Sequence, residues 1–159
     1  GYTYGARTGF RGSKIPGTFR ASSSVRTNTT GESVAIFRDE INKYKQGISQ
    51  EDLDFTKNAL IKSNARRFET QFALLGMLQE MSIYGLDQDY IAAEEATVRN
   101  MTLDAHKALA NKYLDTSKMA YLVVGDAQSQ YTQFRDMGFD EVLLLDKEGE
   151  EVKLENVKQ

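Results

Sequence analysis

At 159 residues, with 40% hydrophobic residues and a mean hydropathy of −0.51, the chain is one domain's worth of a polar globular sequence, long enough to bury a core. The net charge of −3, with the two signs interspersed over the whole length, leaves no footprint of an electrostatically driven nucleic-acid binder. No apolar run approaches the ~20 residues needed to cross a bilayer. The absence of cysteine removes disulfides, thiolate metal ligands and a thiol nucleophile while leaving the compartment open.

The sequence begins at Gly1, without methionine, and enters at once a stretch that reads as a strand interior, the start expected of a fragment. From Tyr2 to Phe10 large side chains alternate with small or polar ones, which predicts a strand with Tyr2, Tyr4 and Ala6 on one face and Thr3, Gly5 and Arg7 on the other. The segment RGSKIPG, with the one proline, reads as a hairpin connection, and the serine-rich Thr18 to Arg26 returns as an antiparallel partner suited to an edge or a groove. Thr29 and Glu32 stand at capping-box spacing before a helix running to Lys45, with Val34, Phe37, Ile41 and Tyr44 on its inner stripe and Gly47 as its stop.

Ser49 to Tyr84 is the longest periodic stretch, read as one amphipathic helix or two joined by a kink. Ser49 is placed to accept from the backbone N–H of Asp52, and Glu51 and Asp52 complement the positive end of the helix dipole. Leu53, Leu60, Phe68, Phe72, Leu75 and Leu78 form a stripe expected to bury, and Gly85 is the expected left-handed stop. Shorter helices follow over Asp87 to Arg99 and, capped by Thr102, up to Leu114. Lys118 to Val124, rich in apolar and β-branched residues, predicts a central buried strand; Gln128 to Met137 predicts a helix and Glu141 to Leu145 a last strand. Four strands and five helices add up to an α+β fold, a mostly antiparallel sheet packed against a layer of helices. The domain is expected over residues 1–146, with a charged tail over 147–159.

Little catalytic apparatus is visible. A zinc site usually needs three protein ligands, and His106 is the only histidine in a chain that has neither cysteine nor an H-x-x-E-H run, so no metal is expected here. Ser22, Ser23 and Ser24 have no neighbouring base and read as strand residues. Gly125-Asp126 lacks the further glycines of a phosphate-binding loop and reads as a strand-to-helix turn. Arg66 and Arg67 are suited to a carboxylate but more simply reach from a packed face into water. Tyr2 and Tyr4 are the candidate binding residues, because a phenol on a sheet face can donate to a substrate carbonyl; cross-strand packing is the plain alternative.

The order of motifs resembles the insulinase-like family of zinc peptidases, the pitrilysin and processing-peptidase group. GYTYGARTGF followed by GTF is similar to its glycine-aromatic-x-tyrosine-glycine segment, and SQEDLDFTKNAL to one of its helix starts. Tyr84-Gly85, MTLDAHKALANKYL, YLVVGDA and QFRDMGFDEVLLLDKEG follow in the family's order over nearly the whole chain. The resemblance implies a domain lacking the zinc motif, most closely the C-terminal non-catalytic one, with its first strands absent. It implies a metalloendopeptidase-type parent in which zinc sits on a separate catalytic domain, the partner of this one, while an extended peptide is clamped between them. In that reading Tyr4 matches the family's substrate-holding tyrosine, and the arginine that accompanies it would lie before Gly1. The bacterial look of the ending points toward the periplasm or cell envelope, and a homodimer is a further expected partner. A catalytically inactive scaffold of the same family and a freestanding α+β interaction module are the alternatives.

Overall fold

A computed structural model describes residues 3–139 and 141–156. The chain divides into two compact units, one built on the residues up to Arg11, Thr18–Ile41 and the chain from Thr116 onward, the other on Gly12–Gly17 and Asn42–Asp115.

The first unit opens with an antiparallel ribbon of β1 (Thr3–Arg11) and β2 (Thr18–Val25). Along β2 the half-buried Phe19, Ala21, Ser23 and Val25 alternate with the exposed Thr18, Arg20, Ser22 and Ser24, the period of a strand with one covered face. Phe19, half-buried, faces the exposed Phe10 with ring centroids 5.1 Å apart. After a 3-10 turn over Thr27–Thr29, helix α1 (Thr30–Lys45) begins. Its entry is set by hydroxyls, with Thr29 donating to the Arg26 carbonyl at 2.9 Å and Ser33 donating to the Thr29 carbonyl at 2.7 Å. Glu32 in the first turn and Lys43 and Lys45 in the last complement the helix dipole, and Gly47 leaves the helix with φ +118°. Ile41 is buried, Val34 and Phe37 half-buried, and Tyr44 is exposed, so the expected inner stripe holds except at its end.

In the second unit Ser49 to Tyr84 forms two helices, α2 (Gln50–Asn64) and α3 (Gln71–Tyr84), separated by a 3-10 turn over Ala65–Phe68. Ser49 caps α2 as expected, accepting from the Asp52 N–H at 3.0 Å. The break has a local cause. Thr70 leaves the helical conformation and its hydroxyl accepts from the Ala73 N–H at 3.1 Å, so it opens a new helix instead of continuing the old one. Gly85, at φ +66°, ends α3, and the Leu86 N–H donates back to the Met81 carbonyl at 3.0 Å. Helices α4 (Tyr90–Arg99) and α5 (Leu103–Tyr113) follow, the latter capped by Thr102 through the Ala105 N–H at 3.2 Å. The core of this unit is Leu53, Tyr90, Ala110 and Leu114.

Two expectations are corrected. The stripe of Ser49 to Tyr84 is buried only at Leu53; Leu60, Phe68, Phe72, Leu75 and Leu78 are exposed, because among the described residues nothing packs on that side of α3, which buries no residue at all. The segments 119–124 and 141–145 are not strands of a sheet, so the mostly antiparallel sheet reduces to a two-stranded ribbon with six α-helices among the described residues. Their side chains still keep period two, with Met119, Tyr121 and Val123 half-buried between the exposed Ala120, Leu122 and Val124. A strand is defined by its neighbour as much as by its own residues, and no backbone hydrogen bond reaches 119–124 among the described residues.

Back in the first unit, α6 (Ala127–Arg135) is capped by Asp126, whose carboxylate accepts from the Gln128 N–H at 3.1 Å. Gly125-Asp126 is therefore the turn into a helix. Phe134 and Gln130 are buried on α6, Tyr121 meets Phe139 with centroids 5.0 Å apart, and the Arg38 guanidinium lies 6.0 Å over Phe139. The end of the chain folds back through a bridge between Leu145 and Glu151 and a 3-10 turn over Leu154–Asn156. No helix is long and apolar enough to cross a membrane among the described residues.

Candidate functional site: the bulged hairpin face

The register of β1 against β2 slips by one residue at the start of the ribbon. Thr3 pairs with Val25, while Ala6 pairs with Ser23, leaving Tyr4 and Gly5 together opposite Ser24. This is a β-bulge, and Gly5 permits it by taking φ +153°, which side-chain-bearing residues rarely adopt. The extra residue is held by side chains. The Gly5 N–H donates to Thr3 Oγ1 at 3.0 Å, the Ser23 hydroxyl donates to the Gly5 carbonyl at 2.9 Å, and the two hydroxyl oxygens lie 2.7 Å apart. Thr3 Oγ1 also lies 2.9 Å from the Gly5 carbonyl, so one hydroxyl donates to that carbonyl and the other to its fellow hydroxyl, and both backbone groups of Gly5 are satisfied.

The bulge re-aims Tyr4. Simple alternation groups Tyr4 with Ala6, but the slip puts it opposite Ser24, on the ribbon face that also bears Arg7 and Arg20. There Tyr4 is fully exposed, with its phenol free to donate once and accept once. The other candidate, Tyr2, lies outside the described residues. Of the serines, Ser22 and Ser24 share the exposed face and Ser23 serves the bulge.

The same face shows a charge pattern that the whole-chain balance hides. From Thr3 to Arg26 the sequence contains Arg7, Arg11, Lys14, Arg20 and Arg26 and no aspartate or glutamate. A windowed charge count reveals the acid-free stretch; only the register shows that Arg7, Arg20 and Arg11 fall on one face.

Arg67 and His106 have structural partners. Arg67 donates to Glu94 at 2.9 Å in a half-exposed ion pair. His106 Nε2 lies 2.7 Å from the Tyr44 hydroxyl, the rings meeting edge to face at 5.0 Å, and its Nδ1 is buried. With one imidazole nitrogen engaged and the other enclosed, and no group of three His, Cys, Asp or Glu suited to a metal among the described residues, the donor set does not fit zinc.

No family model matches the sequence, and no curated protein matches it. Among solved structures, the chain is similar to the crystal structure of a peptidase M16 inactive domain from Pseudomonas fluorescens, with a TM-score of 0.65 and 25% identity over 72% of this chain. The match spans 27% of that protein's length. This likeness in fold to a non-catalytic peptidase domain agrees with the motif order in the sequence, which resembles that of the insulinase-like peptidases.

Proposed function

We propose that the chain is a non-catalytic, peptide-holding domain of a zinc-dependent peptidase-type protein, closing over an extended peptide that is hydrolysed on a separate, zinc-bearing domain. The observation that supports this reading is Tyr4, whose phenol the bulge directs to the exposed ribbon face, where a peptide backbone can reach it. One neutral hydrogen bond from that phenol to a peptide carbonyl contributes about 0.5–1.5 kcal/mol, which is about 2- to 13-fold in affinity. The chain's part is to bind and orient; the metal, on the partner domain, supplies the activated water. Zinc content and peptidase activity of the protein carrying both domains, measured beside this chain alone, test the division of labour. Zinc and turnover only with the catalytic domain, reduced several-fold by Tyr4→Phe, support it. Unchanged turnover in Tyr4→Phe removes Tyr4 from the reading.

The bare outer side of α3 favours a second reading, a catalytically inactive scaffold of the same family. Phe72 is 87% exposed and Leu75 and Leu78 lie beside it uncovered, an apolar surface of the kind that meets another protein. A zinc-free, inactive parent that still assembles through this surface, including with a second copy, selects the scaffold.

A further inference from the structure

The exposed face of the ribbon has a regular cationic spacing. Arg7 stands opposite Ser22, Gly9 opposite Arg20 and Arg11 opposite Thr18, so Arg7, Arg20 and Arg11 follow one another on one face in steps of two residues. At ~3.3 Å per residue, each step along the ribbon is about 6.6 Å. All three side chains are exposed, and no ion pair engages them among the described residues. Thr18 and Ser22 set hydroxyls beside Arg11 and Arg7, Ser24 sets one beside Tyr4, and Gly9 opens the floor of the face, with nothing within 4 Å of where a Cβ would stand. Tyr4 stands at one end of this row, opposite Ser24.

We infer that this face selects an extended acidic peptide segment, with carboxylates at every second residue meeting Arg7, Arg20 and Arg11. The inference deepens the peptide-holding reading and rests on it, naming the class of peptide. Alternate side chains of an extended peptide repeat at the same ~6.6 Å as the arginines, so a run such as Asp-x-Asp-x-Asp keeps register along the row. The planar guanidinium fork matches carboxylate geometry, and the serine and threonine hydroxyls are placed to donate to remaining carboxylate or backbone oxygens. Charge also separates the possible polyanions. The chain as a whole carries −3, which repels a long nucleic-acid strand or an anionic membrane at a distance. A short acidic segment presents only the few charges that the row can neutralise.

The test is a fluorescence-anisotropy titration of the chain with two labelled peptides of about nine residues, one with aspartate at alternate positions and one with asparagine in their place. The aspartate peptide is expected to bind about tenfold more tightly at low salt, and the preference to vanish at ~0.5 M salt, where screening is strong. Replacing Arg7, Arg11 and Arg20 by glutamine is expected to remove the preference, so that the two peptides bind alike, whereas Tyr4→Phe weakens both peptides and keeps the preference. Equal binding of the two peptides overturns the inference and leaves the peptide-holding reading standing. Failure of both peptides to bind overturns the reading and the inference together. An oligonucleotide of equal charge binding as tightly as the aspartate peptide also overturns it.

Discussion

Thr3 and Ser23 hold their hydroxyl oxygens 2.7 Å apart across the hairpin, and between them they satisfy both backbone groups of Gly5. Two side chains thus stabilise a one-residue slip in register. The slip decides which face of the ribbon Tyr4 occupies, because side chains in a strand change sides with each residue.

Gly5→Val is expected to destroy the bulge, since a β-branched residue at φ +153° costs on the order of 1–3 kcal/mol. Faster amide exchange along β1 and a lower denaturation midpoint are the readouts. Thr3→Val is expected to loosen the same site while Thr3→Ser restores it, which separates the role of the hydroxyl from that of the methyl.

Leu53 is 3% exposed and is the best-enclosed side chain of the second unit's core. Leu53→Ala should cost about 2–5 kcal/mol in chemical denaturation. Phe72→Ala, which removes a larger but exposed side chain, should stay within about 0.5 kcal/mol. Equal losses at the two positions would show that the outer side of α3 is covered in solution.

The Tyr90 phenol is held above the ordinary value of 10.0, first by burial and then by the nearby Glu80 carboxylate, toward which its hydroxyl donates at 3.4 Å. Below pH 10.0 the phenol is protonated in both the folded and unfolded chain, and its contribution to stability is fully present. As pH rises further the unfolded chain gives up the proton first, so stability falls until the raised folded pKa is passed. Tyr90→Phe is expected to flatten the alkaline decline in the unfolding midpoint; an unchanged slope would assign the decline to other groups.

The Tyr121 hydroxyl is buried without a hydrogen-bond partner among the described residues, although its ring packs on Phe139. Removing an unsatisfied buried hydroxyl spares its desolvation cost, so Tyr121→Phe is expected to be neutral or stabilising by up to about 1 kcal/mol in denaturant titration. Tyr121→Ala, which also removes the ring, should cost about 3 kcal/mol or more.

Wherever the interaction is local, the sequence by itself determined the outcome. Ser49 and Thr102 cap the helices they precede, and Gly85 ends α3 in the left-handed region, because each acts through groups within a few residues of itself. Burial and pairing were decided by the tertiary structure. Phe72 and Leu75 follow the helical period of a buried stripe yet face outward, and 119–124 keeps the period of a strand without becoming one, since both need a neighbour that periodicity cannot supply. The face of Tyr4 belongs to the same class. A one-residue bulge, set by two hydroxyls twenty positions apart, moves it to the side of Arg7 and Arg20, and only the paired strands show that shift.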